Sequence, residues 1–167
     1  MFNVTCSTLF KSSIPLTALV LRFDEFGVGS KTQGLKALLP PKEKRGLVLL
    51  DPSFEIKTEY RQVVKEIAQA YRRFATGTYA LWYPVIDRRT IDKLQRDFVA
   101  TGIKKILVIE LCVKGDTTER GMTGTGMIVI NPPWKLTQQM DEILPWLTQE
   151  LAQDGEASYR MEWLVPE

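Results

Sequence analysis

Gly46-Leu-Val-Leu-Leu-Asp-Pro-Ser-Phe54 is the stretch that decides how this chain folds. Five residues without a charge, four of them large and apolar, are too few for a buried helix. They suit a strand covered on both faces, as in a parallel sheet. Asp51-Pro52 ends the run, and a helix follows from about Lys57 to Ala75. Tyr60, Val63, Val64, Ile67, Tyr71 and Phe74 make its apolar stripe, and Gly77 is read as its stop. Thr78 to Tyr83 reads as the next strand, ending at Pro84. Arg88 to Ala100 reads as a second helix, with Ile91, Leu94 and Phe98 inward. Lys104 to Val113 and Met127 to Ile130 are further strands, separated by a Gly/Thr-rich loop. Leu136 to Ala152 is a last helix that Pro145 should kink or break, and Tyr159 to Val165 a final strand.

Strand, helix, strand, helix, strand implies crossover connections and a mainly parallel α/β sheet. The late strands, joined by too short a loop for a crossover helix, should pair antiparallel at the sheet edge. Upstream the text is less regular. Leu35 to Leu39 is a short helical turn stopped by Pro40 and Pro41, and residues 1–34 show no sustained period, so they stand apart from 35–167.

Composition narrows the chemistry. The chain has 167 residues, 22 Lys and Arg against 20 Asp and Glu, two cysteines and no histidine. Without histidine, Ser-His-Asp and Cys-His catalysis and ordinary zinc-histidine sites fall away, and no metal is expected. A net charge of +2 announces no polyanion partner, so any nucleic-acid contact must come from local patches. Cys6 and Cys112 are read as reduced thiols. No apolar run approaches a membrane span, so a cytoplasmic protein is expected, with no membrane partner and as a monomer.

In open parallel sheets ligands sit beyond the carboxyl ends of the strands, where Asp51, Pro84 and Asn131 are expected. Asp51-Pro52-Ser53-Phe54 is suited to a purine amino group. A carboxylate and a backbone carbonyl can each accept one N–H of that poorly nucleophilic nitrogen. Proline adds no competing donor, and the aromatic can stack on an extruded base. The alternative is a strand-end Asp capping the helix, with Phe54 in the core. Asn131-Pro132-Pro133-Trp134 competes by its letters but comes late in the sheet, which favours a structural turn. Gly27 to Thr32 lacks the spacing of a phosphate loop, and Gly121 to Gly126 reads as a hairpin near Arg120. Arg61, Lys65, Arg72, Arg73, Arg88, Arg89, Lys93 and Arg96 are solvated helix faces by default, or together a phosphate-contacting surface.

Five segments resemble the RlmJ family of 23S ribosomal RNA adenine-N6 methyltransferases: Gly46 to Glu55, Arg73 to Val85, Ala100 to Leu107, Arg120 to Leu136 and Trp163 to Glu167. The resemblance runs from about Leu35 to the last residue. It implies a Rossmann-like methyltransferase sheet, mainly parallel with antiparallel edge strands, S-adenosyl-L-methionine as cofactor and 23S ribosomal RNA as partner. The family's Asp-Pro-Pro-Tyr motif falls on Asp51, Pro52, Ser53 and Phe54. The resemblance makes Asp51 catalytic and close to the cofactor, with Pro52, Ser53 and Phe54 on the target adenine. Phe keeps the stacking face of Tyr but loses its hydroxyl. Upstream the likeness stops. Residues 1–25 are unplaced, and an Asp-Gly pair that contacts the cofactor in the family falls on Ser30 and Lys31. The expectation is therefore a carboxyl-terminal part that lacks the first sheet strands and binds cofactor weakly. A non-catalytic RNA-binding remnant, or a role in the use of external DNA, is the alternative; no acidic cluster supports nuclease chemistry.

Overall fold

A computed structural model describes residues 4–9, 16–23, 39–42, 44–116 and 121–167, with backbone only for the first two stretches. Residues 35–38 of the expected Leu35–Leu39 turn, the Gly27–Thr32 stretch, Ser30, Lys31 and Arg120 lie outside them. The chain divides into two compact units, residues 1–81 and 82–167, with the boundary inside one strand.

In the first unit the strands are β1 (Val4–Leu9), β2 (Leu16–Phe23), β3 (Gly46–Pro52) and the start of β4 (Thr78–Val85), in that order across the sheet. Two strands thus occur in the stretch where the sequence shows no sustained period. β1 pairs antiparallel with β2, which runs parallel to β3 from Thr17↔Gly46 to Phe23↔Pro52. β3 runs parallel to β4 from Leu47↔Thr78 to Leu50↔Leu81, and α1 (Lys57–Arg73) makes the connection. Val63, Val64, Ile67 and Ala70 of α1 are buried, as are Val48 and Leu50 of β3. The apolar spacing of α1 thus forms one covered face. Gly77 does not end the helix: Phe74 is its C-cap, and a side chain at Gly77 would collide with the Phe74 ring. The glycine is there for space.

The second unit holds the end of β4, α2 (Arg88–Val99), β5 (Ile106–Cys112), β6 (Gly124–Ile130), α3 (Leu136–Leu151) and β7 (Ser158–Val165). β4 does not end at Pro84 but runs through it to Val85, whose carbonyl accepts the Thr123 amide at 2.8 Å. The ladder with β3 has already stopped at Leu81, so on that side proline removes no N–H bond. β6 is antiparallel to β5, as expected, but it is not an edge. The order is β4-β6-β5-β7, with β7 antiparallel on the outside. The burial of the two strands gives the reason: Ile128, Val129 and Ile130 of β6 are covered, whereas β7 has no buried residue.

Alternation along β5 separates the two faces. Leu107 and Ile109 pack with Val129 and with Leu144 of α3, while Glu110 on the other face meets α2. Helix α2 sends in Ile91, Leu94, Gln95 and Phe98. Pro145 neither breaks α3 nor shortens it; it is exposed within one helix.

Gly126 lies against the Tyr83 ring, and a methyl group there would overlap the ring and its hydroxyl. Gly126→Ala is expected to lower stability by about 2 kcal/mol through overpacking. Urea denaturation checks this, and an unchanged midpoint would show that the packing there is loose.

Candidate active site

The carboxyl end of β3 sets the first site. Val48, Leu50 and Pro52 are buried, and Leu47, Leu49 and Asp51 on the alternate face are half-buried. Asp51 is therefore neither sealed in the core nor free on the surface. It stands level with Arg22 of β2 by backbone register, one residue past the last β3–β4 pair. It is not the cap of α1, because that position belongs to Ile56, which makes no side-chain cap bond. The capping alternative for Asp51 thus fails on position.

The three residues after Asp51 are tied down by the first turn of α1. Pro52 is buried at the strand end. Ser53 is exposed, and its hydroxyl donates to a Glu59 carboxylate oxygen at 3.4 Å, a long bond. Phe54 has φ 53°, a left-handed conformation that costs a non-glycine residue roughly 1–2 kcal/mol. Packing holds it there: the residue is 7% exposed, and its ring lies 4.2 Å from that of Tyr60, tilted by 33°. Phe54 is thus a core residue on one side, as the packing alternative expected. Asp51, Pro52, Ser53 and Phe54 come together at the end of parallel strands.

The competing motif sits differently. Asn131 stands at the exit of β6, as expected, but because β6 is antiparallel to β5 that exit lies beside the start of β5, where the Asn131 backbone N–H donates to the Lys105 carbonyl at 3.0 Å. Its φ of 50° and the two prolines after it make a tight turn. Trp134 projects from that turn 83% exposed, with the Lys135 ammonium 4.9 Å from its ring centre.

A third cluster was not foreseen. Glu110, 2% exposed on β5, accepts hydrogen bonds from Tyr83 Oη at 2.7 Å, Arg88 Nη1 at 2.7 Å and Arg160 Nη2 at 2.9 Å. Gln95 adds a longer bond, and Arg88 also reaches Asp116 and the Cys112 sulfur. Arg88 is thus no solvated face residue. Burial alone would raise the Glu110 pKa, but the bonds from Tyr83, Arg88 and Arg160 outweigh it and hold the carboxyl below its usual range. Burial, then the Glu110 charge, pushes the Tyr83 phenol up, so it stays a donor. Burial likewise pushes up the thiol of Cys112, which is free. An acidic residue inside an otherwise apolar strand was the available signal, since a buried carboxylate must be paired. The cleft above it, about 240 Å³, is lined by Arg88, Glu110 and Arg160 of the cluster together with Asp92, Cys112, Ser158 and Tyr159.

Among the described residues no group of three or more Cys, Asp or Glu is placed to hold a metal ion. No described helix is long and apolar enough to cross a membrane.

Comparison with known proteins joins these features to one family. The family described as Ribosomal RNA large subunit methyltransferase D, RlmJ, matches residues 27–165. Ribosomal RNA large subunit methyltransferase J of Escherichia coli is 57% identical over 168 residues, covering 99% of this chain and 60% of that protein. That match takes in the amino-terminal stretch that the resemblance left unplaced. The Haemophilus influenzae protein of the same name is 56% identical over 135 residues, 81% of this chain and 48% of its own length. A crystal structure of a Legionella pneumophila protein superposes with a TM-score of 0.73 at 38% identity, over 80% of this chain and 49% of that one. The chain thus spans about half the length of the relatives it matches. With the likeness covering most of its residues, this chain belongs to the RlmJ family of ribosomal RNA large subunit methyltransferases.

Proposed function

We propose that the chain acts in S-adenosyl-L-methionine-dependent methylation of the N6 amino group of an adenine in 23S ribosomal RNA, on a Rossmann-like methyltransferase sheet, with Asp51 as the catalytic carboxylate. One observation carries the reading: a half-buried carboxylate stands at the carboxyl end of parallel strands, followed at once by a proline and an aromatic. The names of the E. coli and H. influenzae relatives supply the substrate class.

The donor set fits the group. A carboxylate is an acceptor only, and both an amino N–H and a cationic sulfur favour one nearby. When bound, S-adenosyl-L-methionine supplies an activated methyl group on a positively charged sulfur. Asp51 accepts one N6–H, orients the nitrogen lone pair and takes up the proton that the amino group sheds. Pro52 presents a carbonyl for the second N–H and has no N–H of its own to compete. Ser53 and Phe54 line the target base. Tyr60 already covers part of the Phe54 ring, so the base meets the remaining edge.

The test is methyl transfer from labelled S-adenosyl-L-methionine to 23S ribosomal RNA. Asn131→Ala should keep most of the wild-type rate, because Asn131 serves a turn. A greater loss there than at Asp51 would move the site to the second unit.

A further inference from the structure

Helices α1 and α2 each carry a row of cations on the side turned away from the core. On α1, Arg61, Lys65 and Arg72 lie within about 40° of one another at 100° per residue, opposite Val63, Ile67 and Ala70. On α2, Arg89, Lys93 and Arg96 follow at i, i+4 and i+7, opposite Ile91, Leu94 and Phe98. All six residues are exposed. Among the described residues, none of their side chains takes part in an ion pair or hydrogen bond.

Ordinary helix physics does not account for them. This chain does pair cations with carboxylates, at Arg88, Lys105 and Arg160. Arg72 in the last turn of α1 complements the helix dipole, but Arg89 stands in the first turn of α2, where a cation opposes it. No acidic residue occupies that first turn. Of the acidic residues on α1, Glu66 is buried and bonded to Gln62, and Glu59 holds Ser53, so its row stays clear of both. On α2, Asp92 and Asp97 flank the row without pairing to it. Helix α3 is the internal contrast: it holds Asp141, Glu142 and Glu150 and no lysine or arginine. A chain with a net charge of only +2 has thus sorted its charges by helix.

We infer that the outward rows of α1 and α2 grip the phosphate backbone of RNA. The rows span about 16 Å on α1 and about 10 Å on α2, long enough for several consecutive phosphates each. The six side chains are exposed cations on two helix faces, so they complement a polyanion rather than an apolar partner. Such contacts hold and orient RNA without reading its sequence. Choosing RNA as the polyanion rests on the methyltransferase reading; the rows themselves do not.

The experiment is fluorescence anisotropy of the whole chain with a short fluorescein-labelled RNA hairpin, titrated at several salt concentrations. Replacing Arg61, Lys65 and Arg72 by Gln should reduce the slope of log affinity against log salt by roughly one for each cation removed from a phosphate. At fixed low salt, binding should weaken by about tenfold or more. The same change at Arg89, Lys93 and Arg96 should do likewise but less, because Asp92 and Asp97 already offset part of that row. Glu142→Gln with Glu150→Gln, on the acidic helix α3, should weaken nothing. Thermal melts of the exposed-site variants should match wild type, which separates weakened phosphate binding from unfolding. Unchanged slopes in both triple variants would overturn the inference. So would loss of binding to phosphatidylserine vesicles with RNA binding intact, which would assign the rows to a membrane surface. Slopes that fall as expected in a protein with no methyl transfer would instead sink the function proposed for Asp51 and leave the rows standing.

Discussion

Replacing Asp51 by Ala is expected to reduce methyl transfer about a thousandfold while leaving the melting temperature within a few degrees of wild type. Asp51 is half-buried at the end of β3 and outside the core formed by Val48 and Leu50, so its loss opens no cavity. On the proposed function, the group lost is the acceptor that orients the amino nitrogen and takes up its proton. Asp51→Asn is the sharper variant. It keeps the shape but turns one oxygen into a donor that repels an amino N–H, so it should be nearly as inactive as Asp51→Ala. If Asp51→Asn keeps more than about a tenth of the rate, the carboxylate is not the working group.

Glu110→Ala should be the most destabilising single change, by about 3 kcal/mol. That is the low end for breaking a buried pair, because Arg88 and Arg160 both reach solvent and are partly screened. The loss leaves two guanidiniums and the Tyr83 hydroxyl without their shared acceptor. It should lower the urea midpoint clearly and the melting temperature by several degrees. The pH dependence follows from the direction of the Glu110 shift. The folded-state pKa is held below the unfolded value of about 4.3. The stabilisation is therefore complete above about pH 4.3 and fades as pH falls through the lower, folded value. Wild type should lose its advantage over Glu110→Gln in that acid window. A gap between the two that stays constant from neutral to acid pH would mean that Glu110 is not ionised in the fold.

Much of this architecture was legible because local signals agreed with the tertiary structure. The inward positions of α2 are buried as their spacing predicts, and so are Val48 and Leu50 of β3 and Val63, Val64, Ile67 and Phe74 of the α1 stripe, whereas Leu47, Leu49, Tyr60 and Tyr71 are only half-buried. Asp51 was legible because a charge breaks an apolar run near the carboxyl end of a strand, although β3 runs on through Asp51 to Pro52 and its second face is only half-covered. What escaped depended on partners distant in sequence. Glu110 is bonded by residues 27, 22 and 50 positions away, which no window along the chain connects. Strand order escaped too, since β6 sits between β4 and β5 although β5 precedes it in the chain. Pro84 and Gly77 misled because each has more than one physical use. Pro84 lies within β4, beyond the last pair with β3, and Gly77 makes room for a ring rather than stopping a helix.

The most direct measurement follows the label into the product. RNA treated with wild-type chain and radiolabelled S-adenosyl-L-methionine is digested to nucleosides and separated by chromatography. Label is expected in N6-methyladenosine for wild type and Asn131→Ala, and none above background for Asp51→Asn. Label in another nucleoside, or equal N6-methyladenosine from Asp51→Asn, would contradict it.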